Sequence, residues 1–256
     1  AAKRIVDLAG PNMTKVFFTN GGADAVENAI RMARLHTGKH KVLSFYRSYH
    51  GNTGAAIVAT GDPRRWPNEY SAQHVHFFGP FLYRSEFWSA NEEQETERAL
   101  QHLEDVLMVE GPHTVAMIGM ETVVGTNGIL VPPDGYLKGV REICDRYGIV
   151  MMCDEVMAGF GRTGKWFAHQ WAGVTPDVMP LAKGLGSGVP IGAVVAHGVA
   201  ASVFEPGNHG TTFGGNPLAI IGALVVMILA PLAAMLLKAA ISRSRESLAD
   251  AATPLV

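Results

Sequence analysis

The chain has 256 residues, of which 48% are hydrophobic and 17% charged, and its formal net charge is −2. This length allows one large α/β domain or two smaller ones around a sizeable core. The near-neutral charge, with basic residues scattered along the chain, gives no electrostatic basis for nucleic-acid binding. The two cysteines, Cys144 and Cys153, lie in a predicted helix and a predicted buried strand. Their positions indicate reduced thiols packed inside a cytoplasmic protein rather than a disulfide framework.

Strand-like and helix-like segments alternate along most of the chain, a pattern that predicts an α/β fold with a mainly parallel sheet covered by helices. Gly38 is a plausible C-cap for the first helix, which carries small and apolar residues on one face. The strands are predicted at residues 15–19, 41–45, 74–78, 114–120, 148–153, 177–182 and 191–196. The helices are predicted at residues 22–36, 91–110 and 133–147.

The C-terminal part of the sequence differs in kind. Residues 218–237 contain no charge over twenty positions, which is the length of a membrane span. We favour a buried helix or an interface segment, because everything upstream is typical of a soluble enzyme and buried helices can be apolar on all sides. The chain is therefore divided into a domain at residues 1–217 and an atypical apolar tail at residues 218–256.

Two residues at the ends of predicted strands carry the strongest functional signal. Asp154 follows an apolar strand at its carboxyl end, where open α/β sheets bind ligands. Lys183 follows the next strand in a turn with Gly184, Gly186 and Gly188, which allow close approach to a ligand. A lysine crowded in this way loses hydration and becomes a nucleophile toward carbonyls.

Taken singly, these two residues also have ordinary explanations. An aspartate at a strand end is often a cap or turn residue, and a lysine is usually solvated. Together they meet the needs of pyridoxal phosphate, which requires a lysine for its aldehyde and a carboxylate beside its pyridinium nitrogen.

Three further segments are compatible with such a cofactor. Residues 20–23 read NGGA between a strand and a helix, and fit either a phosphate site or an ordinary turn. Tyr49 could lie flat on a planar cofactor, whereas His50 remains open between a loop role and a catalytic one. Zinc is not expected at His50, since no second ligand stands at metal-binding spacing. The polar turn at residues 209–217 is either a second phosphate contact or a loop.

Residues 159–165 read GFGRTGK and fit both a dinucleotide fingerprint and a Walker loop. A Walker loop needs Ser or Thr after the lysine, where Trp166 stands. A dinucleotide fingerprint should open a long helix, which Gly173 and Pro176 prevent. Nucleotide binding is therefore not expected here.

In chain order, these segments resemble the class III aminotransferases, pyridoxal-phosphate enzymes of fold type I that include ω-amino acid:pyruvate, γ-aminobutyrate and acetylornithine aminotransferases. The resemblance implies a three-layer αβα large domain with a mainly parallel sheet, and a homodimer. It is carried by residues 17–27, 49–51, 154–156, 159–164, 182–184 and 211–217.

The resemblance also implies a role for the matched residues. Lys183 would hold the cofactor's aldehyde as a Schiff base and shuttle the proton, and Asp154 would face the pyridine nitrogen. Tyr49 would stack on the ring, and Thr212 would reach the phosphate of the neighbouring subunit's cofactor. Gly22 and Ala23 would bind the phosphate through backbone N–H groups. The whole expected cofactor set, without any metal, is Gly22, Ala23, Tyr49, His50, Glu121, Asp154, Val156, Lys183 and Thr212.

The sequence also departs from the family pattern. Val124 stands where many members have glutamine, and Thr126 where they have a glutamate that gates a substrate arginine. Both departures favour transfer from an ω-amino acid or amine to a keto acid, with pyruvate the expected acceptor. The N-terminal segment and the C-terminal small domain of the family are expected to be lacking. An aminomutase, a decarboxylase or a non-catalytic cofactor-binding remnant remains an alternative.

Overall fold

The structure is a computed structural model that describes residues 1–68, 73–203, 205, 207 and 209–229. Residues 217–229 form an α-helix, which is called the 217–229 helix. The other α-helices are α1 (Ala2–Ala9), α2 (Gly22–Thr37), α3 (Gly54–Ala59), α4 (Glu92–Glu110) and α5 (Tyr136–Tyr147). The strands are β1 (Met13–Thr19), β2 (Lys41–Phe45), β3 (His74–Phe77), β4 (Val115–Glu121), β5 (Val150–Asp154), β6 (Val178–Leu181) and β7 (Gly192–His197).

The strands form one seven-stranded sheet in the order β1-β7-β6-β5-β4-β2-β3. Strand β7 runs antiparallel to its two neighbours, and the other pairs are parallel. The predicted mainly parallel sheet is therefore confirmed. Every residue of β4 and β5 is buried, as expected for strands covered on both faces.

Helices cover both faces of this sheet, because successive strand residues point in opposite directions. Val42 and Met117 pack under α2, while Leu43 and Ile118, one position further along, pack under α4 and α5. The three-layer αβα arrangement is thereby confirmed. A third apolar cluster joins α1 and the 217–229 helix to β1, β6 and β7.

Most predicted elements are present, with shifts at their ends. Gly38 is the C-cap of α2, in the left-handed conformation at φ +68°. The predicted helix at 133–147 begins only at Tyr136, because Gly135 has φ +86°. The sequence patterns did not identify α1 or α3, which have eight and six residues and are too short for a clear periodic signal.

The apolar tail is only partly described. Within residues 217–229, the helix buries Ala219, Ala223 and Met227 against the sheet. The rest of the predicted 218–256 tail, including positions 230–237 of its uncharged run, lies outside the described residues. Across the described parts of the chain, no helix has both the length and the hydropathy needed to span a bilayer.

Lys39 ties together the end of the sheet opposite the carboxyl ends of the parallel strands. Its Nζ donates to the carbonyl oxygens of Pro112 at 3.3 Å, Tyr147 at 3.3 Å and Gly148 at 3.2 Å. Two of these carbonyls lie at the C-terminus of α5, where helix carbonyls lack partners and a cation is favourable. Lys39 therefore links the loop before β2 to α5 and to the loop before β4.

Replacing this lysine should weaken the fold. We expect Lys39→Met to lower the free energy of unfolding by about 1–2 kcal/mol, because three carbonyls lose a charged donor. Urea unfolding followed by circular dichroism measures the change. Lys138→Met, at an exposed position of α5, is the control, and an equal loss in both variants would contradict the bridging role.

Candidate active site

An open cavity of about 190 Å³ lies at the carboxyl ends of the parallel strands. It brings together seven of the nine residues expected to bind the cofactor. Glu121 and Thr212 are the two that are not part of its lining. The lining consists of Gly22, Ala23, Tyr49, His50, Gly51, Asn52, Asp154, Val156, Ala182 and Lys183.

One side of the cavity is the N-terminus of α2. Gly22 is the first residue of this 16-residue helix, and no side chain caps the helix at Gly21. The first backbone N–H groups are thus available to an anion, and the helix dipole adds positive potential there. A Cβ atom on Gly22 would lie 3.0 Å from Val156 Cγ1. Glycine at this position lets the helix terminus pack directly on the cavity wall.

Asp154 forms the base of the cavity and is held by two donors. It is the last residue of β5 and is only 3% exposed. Its Oδ2 lies 2.7 Å from His50 Nδ1, and its Oδ1 accepts the N–H of Val156 at 3.0 Å. Because a carboxylate oxygen can only accept, Nδ1 carries the proton of the His50 contact.

His50 is the residue whose role the sequence left open. Burial by itself would lower its pKa, but the hydrogen bond and charge of Asp154, with the charge of Glu121, outweigh burial and raise the pKa. Its Nε2 is buried and has no hydrogen-bond partner among the residues that the structure describes. His50 therefore stabilises the buried Asp154 carboxylate and carries one free polar atom of its own.

Glu121 supports the cavity from behind. It ends β4 beside Asp154 in the sheet register, and its two oxygens accept the N–H groups of Tyr49 at 2.9 Å and Gly125 at 3.0 Å. Burial raises the pKa of Glu121, with a further contribution from the negative charge of Asp154. Its contact with the Tyr49 backbone positions the segment that carries both Tyr49 and His50.

Glu155, which follows Asp154, points into the protein away from the cavity. Its carboxylate accepts hydrogen bonds from the Thr122 hydroxyl at 3.0 Å and from the backbone N–H groups of Ala168 at 2.9 Å and His169 at 2.8 Å. Burial raises the pKa of Glu155 to about 7, although these three donors oppose the rise. Glu155 thus ties the end of β5 to two other segments.

Lys183 occupies a strained backbone position. It opens a single turn of 3₁₀ helix and has φ +44°, in the left-handed region that costs a non-glycine residue on the order of 1 kcal/mol. Such strain is concentrated at functional sites. Lys183 Nζ contacts the sulfur of Met157 at 3.4 Å.

Lys183 is exposed, so the glycine-rich turn does not by itself remove water from it. The glycines instead permit packing within the protein. A Cβ on Gly184 would lie 3.2 Å from Phe160 Cβ, and one on Gly186 would lie 2.1 Å from the Val189 carbonyl oxygen. Any dehydration of Lys183 must therefore come from a bound ligand or from residues outside the described ranges.

Two other expectations can be compared with the structure. After residues 159–165 only a four-residue 3₁₀ helix follows, Ala168–Trp171, so the long helix of a dinucleotide fingerprint is lacking there. Thr212 is exposed in the turn before the 217–229 helix and lies outside the cavity lining.

Comparison with known proteins identifies the family of the chain. The sequence matches the family described as "Aminotransferase class-III" over residues 1–254, a range that includes most of the 218–256 tail. The acetylornithine aminotransferase of Corynebacterium efficiens is 43% identical over 222 residues, which are 86% of this chain and 50% of that protein. That of Methanopyrus kandleri is 40% identical, over 86% of this chain and 51% of that protein.

The chain belongs to the class III aminotransferases.

Solved structures agree with this membership. The taurine:2-oxoglutarate aminotransferase from Bifidobacterium kashiwanohense, in complex with PLP and glutamate, is 46% identical with a TM-score of 0.85, over 89% of this chain and 53% of that one. An (S)-enantioselective ω-transaminase from Thermomicrobium roseum is 35% identical with a TM-score of 0.82, over 90% and 55%. The chain spans about half the length of the relatives that it matches.

Class III aminotransferases depend on pyridoxal phosphate, and the cavity fits this group. The uncapped start of α2 offers N–H donors for a phosphate, the buried Asp154 offers an anion for a pyridinium nitrogen, and Lys183 offers an amine for an aldehyde. The three features line one cavity, as a single small cofactor requires.

The pH dependence of stability should report the burial of Glu155. A carboxyl whose pKa rises on folding from 4.5 to about 7 contributes stability that is complete below pH 4.5 and is lost as the pH rises through 7. As the pH rises from 4.5 to 8, the free energy of unfolding of the wild type should therefore fall by about 3 kcal/mol relative to that of Glu155→Gln, at roughly 1.4 kcal/mol per pKa unit. Urea unfolding at several pH values measures the difference. Glu142→Gln, at an exposed position of α5, is the control and should show the same pH dependence of stability as wild type. A stability difference between wild type and Glu155→Gln that stays constant with pH would refute the raised pKa of Glu155.

Proposed function

We propose that this chain is the cofactor-binding part of a pyridoxal-phosphate-dependent aminotransferase, which moves an amino group from an ω-amino acid or amine to a keto acid. The observation that carries the proposal is the shared cavity of Lys183, Asp154 and the N-terminus of α2. The family membership and the transaminase names of the relatives support it.

Each residue has a separate chemical task in this proposal. Gly22 and Ala23 bind the phosphate through backbone N–H groups, and Asp154 keeps the pyridine nitrogen protonated. Lys183 would hold the cofactor through Nζ, and once the amine of the donor had displaced it, the freed Nζ would take the proton from the amino-bearing carbon of the donor and later give it back. Pyridoxal phosphate, when bound, supplies the electron sink for the electron pair released at that carbon. Tyr49 and Val156 flank the ring.

His50 and Glu121 act through the residues that they hold. The Nδ1–H of His50 donates to Asp154 Oδ2 and holds the carboxyl group in one orientation. Glu121 holds the Tyr49 backbone, so that the segment facing Asp154 keeps one position. Both contacts are made within the protein itself, as a preorganised site requires.

Pyruvate is the acceptor that we propose. The support is the replacement of two family residues by Val124 and Thr126. Val124 is buried and pairs with Leu130 through two backbone hydrogen bonds, and its apolar side chain supplies none of the polar contacts that a glutamine would make. The taurine:2-oxoglutarate aminotransferase compared above is named for 2-oxoglutarate, which makes this acid the comparison to test.

We also propose a homodimer in which Thr212 reaches the partner's cofactor site. Thr212 is exposed beside the 217–229 helix and outside its own chain's cavity. That helix buries one face and exposes apolar side chains on the other. These exposed residues are Leu218, Ile221, Val225, Ile228 and Leu229. An apolar stripe of this kind is typical of a surface covered in an oligomer.

The amino-transfer proposal predicts a covalent adduct at Lys183. The wild-type chain with pyridoxal phosphate should be yellow, and borohydride reduction with peptide mapping should find the cofactor on Lys183. Lys183→Ala should abolish the adduct, while Lys138→Ala should keep it. Asp154→Asn should keep the adduct and slow conversion of the donor by about 100-fold or more, because the electron sink is weakened. No colour and no adduct in wild type would end the proposal.

Product analysis then separates amino transfer from other reactions. With an ω-amino acid and pyruvate, transfer produces alanine, whereas an aminomutase or decarboxylase produces none. With 2-oxoglutarate, transfer produces glutamate. Faster formation of alanine than of glutamate supports pyruvate, and the reverse order rejects this acceptor while leaving the aminotransferase intact. An adduct without turnover of any donor indicates a cofactor-binding remnant.

The dimer proposal is tested by solution mass. Ile221→Asp should convert a dimer to a monomer in analytical ultracentrifugation, because it places a charge in the apolar contact. Leu35→Asp changes an equally exposed leucine on α2 and serves as the control. Thr212→Val should weaken cofactor binding without changing the mass. A wild-type chain that sediments as a monomer would contradict the proposal.

A further inference from the structure

Arg64 lies over the ring of Tyr49, outside the set of residues that the family resemblance picks out. The guanidinium carbon is 3.9 Å from the ring centroid, the distance of a close cation–π stack. Arg64 belongs to a short 3₁₀ helix, Pro63–Asn68, which follows α3. No sequence motif marks this position.

Asp62 holds the Arg64 guanidinium in one orientation. Arg64 Nε lies 3.0 Å from both carboxylate oxygens, and Nη2 forms a further hydrogen bond with Oδ2. Oδ1 also accepts the backbone N–H of Arg64 at 3.0 Å. Asp62 is itself buried. Burial would raise its pKa, but the hydrogen bonds and charge of Arg64 outweigh burial and lower the pKa, so the pair is ionised.

The stack has a definite relation to the cavity. Tyr49 lines the cavity together with Lys183, whereas Arg64 does not. The guanidinium therefore supports the ring from outside the cavity. At the other end of the residue, the Tyr49 backbone N–H is held by Glu121. Tyr49 is thus fixed at two points, its backbone by a buried acid and its ring by a paired arginine.

We propose that Arg64, held by Asp62, is a positioning residue that fixes the plane of the Tyr49 ring against the cavity. The inference rests on the proposed function, because it takes Tyr49 as the stacking surface for the planar cofactor. A ring held flat before binding loses less side-chain freedom when the cofactor stacks on it. Arginine suits this task because its planar fork stacks on the ring and bonds both carboxylate oxygens, which a lysine ammonium cannot do.

The test measures cofactor binding rather than turnover. Pyridoxal phosphate is titrated into the chain by fluorescence, and the visible circular dichroism band of the bound cofactor is recorded. We expect Arg64→Lys and Arg64→Gln each to weaken binding by about tenfold and to reduce the dichroism band. Arg65→Gln is the matched control, since the Arg65 guanidinium stacks on Tyr46 and not on Tyr49. It should leave both readouts close to wild type.

A double-mutant cycle separates positioning from simple support of the loop. In a Tyr49→Ala background, Arg64→Lys should have no further effect on either readout. The same loss with and without the Tyr49 ring, a wild-type band in Arg64→Lys, or an equal loss in Arg65→Gln would each overturn the proposal. Binding without amino transfer in wild type rejects the proposed function alone, whereas no binding in wild type rejects both.

Discussion

Two buried carboxylates at neighbouring strand ends impose the constraint on which the site depends. Glu121 and Asp154 are partners in the β4–β5 register and are 5% and 3% exposed. Burying a charge is costly unless donors surround it, and two adjacent acids also repel each other. The chain supplies those donors from one loop, the imidazole of His50 for Asp154 and the N–H of Tyr49 for Glu121. Compensation of the buried charge therefore also fixes the cavity wall.

Close packing around this loop follows from the same constraint. Gly51 has φ +136°, and a Cβ there would lie 2.5 Å from Ala23 Cβ at the start of α2. The loop thus carries the hydrogen-bond partners of the two acids on one side and meets the N-terminus of α2 on the other. Arg64 and Asp62 brace the same loop through the ring of Tyr49. The N-terminus of α2, the Asp154 carboxyl group and the Tyr49 ring are consequently held in one fixed arrangement.

The periodic elements were predictable, because their signals are local. Strands β4 and β5 are apolar at almost every position and α2 has an apolar face, so the sheet and its main helix followed from pattern alone. The short helices α1 and α3 have too few turns for a pattern. Within the site, Asp154 and Lys183 were identified by their places after strands. The contacts of His50, Glu155 and Arg64 were not predicted. The partners of His50 and Glu155 are distant in sequence, and Arg64 lies in a segment that no motif marks.

The sequence by itself determined the alternation of strands and helices and the set of residues that match one cofactor family. Both depend on residue type and spacing along the chain. Only the tertiary structure decided which of these residues meet. It paired His50 with Asp154 across 104 positions and left Lys183 exposed. It also set Glu121 behind the wall and Thr212 apart from the cavity. The physical reason is that burial, hydrogen-bond partners and electrostatic fields are properties of neighbours in space, which the linear sequence does not specify.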